Sequence, residues 1–149
     1  MWAMLSALHR VYRRTGADLP FGDPGRAHGI GMEGYFWRIT LPEAGRVLVV
    51  LCGACRGCGG DWSLVGVAGH PGGFLRIATA DETAADPERV HVSAGALLDG
   101  GPHHLRVDVP DVRVDLHIES VLEYPRALFG ALGPAQSVPG LHQYWHPHL

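Results

Sequence analysis

"HLRVDVPDVRVDLHIE", His104 to Glu119, decides the fold class. Leu105, Val107 and Val109 alternate with Arg106 and Asp108, and beyond Pro110-Asp111 the residues Val112, Val114, Leu116 and Ile118 alternate with Arg113, Asp115 and His117. A period of two sends successive side chains to opposite faces of a strand. With the turn at Pro110-Asp111, in a two-residue or a four-residue loop, Asp108 falls opposite Arg113 and Arg106 opposite Asp115. Opposite-charge pairs on one face and stacked aliphatics on the other favour that register by about 0.2–1 kcal/mol per pair. The expectation is a hairpin with one wet face and one dry face.

The same alternation extends upstream. In "EGYFWRITL", from Glu33, the residues Tyr35, Trp37, Ile39 and Leu41 face one way while Phe36, Arg38 and Thr40 face the other. "RVLVVLC" is a continuous apolar strand, and "WSLVGVAGH" and "GFLRIATA" follow, bounded by glycine or proline. Several short strands separated by turn signals predict an all-β domain, an antiparallel sandwich or barrel. Before it, Met1, Met4, Leu5, Leu8, Val11 and Tyr12 recur at helical spacing, with Arg10, Arg13 and Arg14 near the end. That pattern predicts one N-terminal amphipathic helix over residues 1–16, its cations at the favourable end of the dipole. Such a helix packs on the domain or a partner, or lies at a membrane surface with its apolar face down. Residues 17–32 read as a Gly- and Pro-rich loop, 33–133 as the β domain and 134–149 as an extended crossing.

At 149 residues the chain is one ordinary domain, long enough to bury about 70% of its unfolded surface. A net charge of −3 without a basic block gives no electrostatic footprint for nucleic acid. Every cationic side chain is arginine, so Schiff-base catalysis by lysine is excluded. No apolar run approaches the roughly 20 residues that span a bilayer. The N-terminus does not read as a signal peptide, so a cytoplasmic, reducing compartment is expected, peripheral to a membrane if the helix docks there.

Few motifs carry chemistry. "CGACRGCGG" spaces Cys52, Cys55 and Cys58 by twos, but structural zinc wants four ligands, usually in two separated pairs. The expectation is a buried Cys52 with the other cysteines in a glycine-rich turn. His103 and His104 open the hairpin on opposite faces, and His146 and His148 make an incomplete metal pair. No metal and no cofactor is expected. Phosphate-binding loops, dinucleotide fingerprints and nucleophile elbows are absent from the sequence. What remains is a β-scaffold rich in aromatic residues, suited to an apolar small-molecule ligand or simply to core packing.

"YRRTGADLPFGDP", "HGIGMEGYFWRIT", "VAGHPGGF" and "GPAQSVPGLHQYWHPHL", in that order across nearly the whole chain, resemble the N-terminal half of tocopherol cyclase-like proteins. The resemblance implies a lipocalin-like β architecture of two halves, with the Trp-His-Pro-His stretch leading into a second half absent here. It implies an acid-catalysed reaction without metal or nucleotide, in which a prenyl alkene is protonated and a quinol oxygen captures the cation. On the matching positions, Glu33 would be the proton donor or the anchor of the quinol hydroxyl. Otherwise it is a buried carboxylate paired with Arg38 or a backbone amide. His146 and His148 would supply a junction wall or second acid, and His28, Tyr35, Trp37 and Trp145 would line the substrate site. The alternative from another class is a lipocalin-like carrier that leaves its ligand unchanged.

Overall fold

The computed structural model describes residues 2–17, 27–119, 134–135 and 137–140. Among these, helix α1 (Trp2–Arg13) precedes nine strands: β1 (Met32–Leu41), β2 (Arg46–Gly57), β3 (Gly60–His70), β4 (Phe74–Ala80), β5 (Ala84–Ala85), β6 (Val92–Ala94), β7 (Leu98–Gly100), β8 (His104–Val109) and β9 (Val112–His117). They form two antiparallel meanders, β1-β2-β3-β4 and β5-β6-β7-β8-β9. The class is all-β and antiparallel, a sandwich rather than a closed barrel.

The first sheet follows from its sequence. β2 is apolar on both faces, because Leu48, Val50, Cys52 and Ala54 point inward while Val47, Val49 and Leu51 point outward. The inner residues meet Val65 and Val67 of β3 and pack on Val92, Ala94, Leu98, Leu105, Val107 and Val109 of the second sheet. Fully burying one Val or Leu contributes about 1.5–3 kcal/mol, so this double layer is the main stabilising element. Tyr35, Trp37 and Ile39 of β1 lie half-buried against it.

The β8–β9 hairpin has the expected register, closed by the two-residue loop: Val109 pairs with Val112, Asp108 with Arg113 and Arg106 with Asp115. Arg113 donates to Asp108 at 2.7 Å and Arg106 to Asp115 at 3.5 Å. Asp111 turns the corner at a φ of 65°, a conformation aspartate tolerates better than most residues. From β4, Arg76 Nε reaches Asp111 Oδ2 at 3.6 Å and links the two sheets at this edge.

Several boundaries differ from expectation. Cys55 lies on β2 and only Cys58 is in the turn, because the strand runs on to Gly57. The short strands β5, β6 and β7 gave no periodic signal, being two or three residues long. α1 does not cover the sandwich with its apolar stripe: Trp2, Met4, Leu5, Leu8 and Val11 are exposed, whereas Arg13 is buried. Its C-terminal end is what docks, with Tyr12 Oη donating to the Ser137 carbonyl at 2.5 Å and Gly140 N–H to the Thr15 carbonyl at 3.1 Å. The outer face of the first sheet is also apolar and open, with Phe36, Leu51, Leu75 and Ile77 exposed. No helix among the described residues is long and apolar enough to cross a membrane.

Candidate functional site

A buried carboxylate stands at the start of β1. Glu33 shares the inner face with Tyr35 and Trp37, and its backbone pairs with Ala54 of β2. Arg56, two residues on from Ala54, is therefore its diagonal neighbour on that face. Arg56 Nη1 donates to Glu33 Oε2 at 2.5 Å and to the Ile30 carbonyl at 3.0 Å. Glu33 Oε1 accepts the backbone N–H of His28 and, at 3.2 Å, that of Gly29. His28 Nδ1 lies 3.8 Å from the same oxygen. Both Glu33 and His28 are buried. Of the two partners expected from sequence, the backbone amide is present, whereas Arg38 is exposed, because it sits one residue out of phase on the opposite face.

Two amides and a guanidinium satisfy Glu33 as an anion, and charge-assisted bonds of this kind are the strong ones. The arrangement suits a carboxylate that holds a ligand's O–H or takes its proton. It does not suit a proton donor, whose acid form would waste these donors.

Tyr35 stacks on Trp37 with ring centroids 6.5 Å apart and planes at 20°. Burial first, and the nearby Glu33 charge second, push the Tyr35 phenol above its ordinary value, while the Arg56 and Arg13 charges pull the other way. At neutral pH it is a protonated hydrogen-bond donor. Trp37 reaches across to the second sheet, where a Cβ at Gly100 would fall 2.7 Å from its Cζ2. Gly29, carrying one of the two amides, lies beside Arg14 at the end of α1. Four expected residues thus follow one another on the inner side of β1, His28 and Glu33 at its start and the stacked Tyr35 and Trp37 leading toward its middle. The other three, Trp145, His146 and His148, lie outside the described residues.

A second constellation escaped the sequence reading. Asp99 on β7 accepts from His91 Nε2 at 2.6 Å through Oδ1 and lies 3.3 Å from His104 Nε2 through Oδ2. Burial alone would push the Asp99 carboxyl up, but the His91 hydrogen bond and the charges of His91 and His104 hold it below the ordinary carboxylate range. His91 and Asp99 lie in the stretch without periodicity, so only the pairing of β6, β7 and β8 gathers the three.

Compared with family models, curated proteins and solved structures, the chain matches none.

Proposed function

We propose that this chain is the N-terminal β half of a tocopherol cyclase-like protein that closes a ring on a prenylated quinol. The observation that carries the proposal is the adjacency of the Glu33–Arg56 ion pair and the stacked Tyr35–Trp37 pair on one sheet face. A quinol headgroup needs a polar anchor and its prenyl chain an apolar, aromatic wall, in that order along one line. Glu33 would accept the quinol O–H, with Tyr35 donating to the oxygen or its neighbour. Protonation of the prenyl double bond gives a tertiary cation, which aromatic faces stabilise. The quinol oxygen then forms the C–O bond and yields its proton to Glu33, so the whole is an isomerisation. The acid that protonates the alkene is sought in His146 or His148, or in the second β half.

The open apolar faces support the partners in this reading. The outer face at Phe36, Leu51, Leu75 and Ile77 offers a surface for the second β half, and the α1 stripe one for a membrane carrying the substrate.

One observation favours the carrier instead: the oxygens of Glu33 already have partners within the chain, as a purely structural carboxylate would. Incubation with a prenylated hydroquinone in heavy water, followed by mass spectrometry, separates the two. Cyclisation leaves one deuterium on carbon, and Glu33→Gln, checked for folding, loses it while tryptophan fluorescence still reports binding. Binding without carbon-bound deuterium, both for this chain and with a second half supplied, would establish the carrier.

A further inference from the structure

We propose that His91, Asp99 and His104 form a binding site for a borderline divalent transition metal, zinc foremost, on the outer face of the second sheet. Each residue offers one ligand atom, and the three atoms lie within 4.8 Å of one another. Tetrahedral zinc with bonds of about 2.0–2.1 Å places its ligand atoms about 3.4 Å apart. The separations to the two Asp99 oxygens are 3.3 Å from His104, close to that spacing, and 2.6 Å from His91, which would have to open by about 0.8 Å to admit the ion. Closing the imidazole pair needs a movement of about 1.5 Å at most, within reach of side-chain rotation.

The donor set selects the ion. Two imidazoles and one carboxylate suit zinc and its first-row neighbours, whereas calcium and magnesium take oxygen ligands. Three protein ligands leave a fourth position for water.

The backbone is shaped around the cluster. Asp99 is the middle residue of β7, pairing with Ser93 on one side and Arg106 on the other, so its carboxylate projects from a fixed sheet position. Gly101 donates its N–H to the His104 carbonyl at 2.9 Å, and a Cβ there would fall 3.1 Å from His104 Cε1. The glycine leaves the space that the His104 ring occupies. His91 is held from behind by its carbonyl, which accepts the Asp86 N–H at 3.0 Å. His117 stands directly opposite His104 on β9, on the same face. Two ion pairs sharing Asp99 are the competing explanation, and metal titration separates it from a binding site.

The test is zinc titration of the metal-stripped full chain by calorimetry, alongside His91→Ala, His104→Ala and Asp99→Asn. Asp99→Asn keeps a polar side chain at the same position and guards against loss of folding, which circular dichroism checks. A Cys55→Ser/Cys58→Ser variant controls for thiol sites. Changing a residue that only orients a ligand weakens metal binding about 10–100-fold, so loss of a ligand here should weaken zinc at least tenfold. The thiol variant should bind as the parent does, and cobalt should give a tetrahedral visible spectrum that Asp99→Asn removes. Unchanged zinc affinity in all three site variants, or no binding by the parent chain, would overturn the proposal.

Discussion

The indole of Trp37, on the first sheet, fills the space where a side chain at Gly100, on the second, would stand: a Cβ there would lie 2.7 Å from Cζ2 and 2.8 Å from Cη2. The two sheets are keyed together at this point, one supplying the bulk and the other the gap. Gly100→Ala should therefore force a shift in a packed layer and cost about 1–3 kcal/mol. Gly34→Ala, where a Cβ meets nothing within 4 Å, should be neutral or stabilising by up to about 1 kcal/mol. Urea unfolding of the two variants measures the difference, and equal effects would show that the indole moves aside freely.

Removing Arg56 leaves Glu33 with its amides but without its counter-charge. Breaking a fully buried ion pair costs about 3–5 kcal/mol, and the partial exposure of Arg56 brings the expectation for Arg56→Met to about 1–3 kcal/mol. Adding Glu33→Gln to Arg56→Met should recover part of that loss. A double-mutant cycle of unfolding free energies checks it, and strict additivity would mean the two groups do not interact energetically.

Burial pushes the Cys52 thiol up to about 12, with the charge of Cys55 adding to the effect. An unfolded thiol ionises near 9, so this group stabilises the fold fully below that pH, and the contribution is lost as pH rises from about 9 to 12. Tyr35, also raised, acts in the same direction above about pH 10. Stability should fall across this window, and less steeply in Cys52→Ala. With a thiol reagent at pH 8, exposed Cys58 should react first and Cys52 only on unfolding. Rapid labelling of Cys52 in the folded chain would contradict the burial.

The outer face of the first sheet should govern association. Leu75→Lys and Ile77→Lys place charges where the side chains are already exposed, so thermal stability should change little, by about 0.5 kcal/mol. Binding of a hydrophobic dye and any concentration-dependent sedimentation should both fall. A large stability loss instead would show that these residues are covered within the chain.

The α1 stripe gives a separate readout. Leu5→Gln with Leu8→Gln should reduce co-sedimentation with anionic vesicles and leave the unfolding midpoint in place, because both side chains are exposed. A shifted midpoint would mean that the stripe packs on the sandwich.

How far the sequence carries depends on the range of the interaction. The β8–β9 hairpin was legible down to its pairs, because alternation, a turn and two charge pairs lie within sixteen consecutive residues. The placement of Tyr35, Trp37 and Ile39 on the inner face was legible for the same reason, since period two needs no partner strand to be seen. The buried Glu33 and its backbone-amide partnership were legible, but its ion-pair partner was not. Arg38 is five residues away in sequence yet points outward, while Arg56 is brought alongside only by the β1–β2 register.

The cross-strand partners in each site were decided by tertiary structure alone. His91 and Asp99 carry no local pattern and lie on or beside strands too short to show a period, and they meet His104, at the start of the legible hairpin, because β6, β7 and β8 pair across two turns. The uncovered stripe of α1 is a further case, for amphipathicity announces an apolar face but not what will cover it. Local periodicity encodes which way a side chain points, whereas which side chains meet is set by strand register, a long-range choice made by the packing of the whole core.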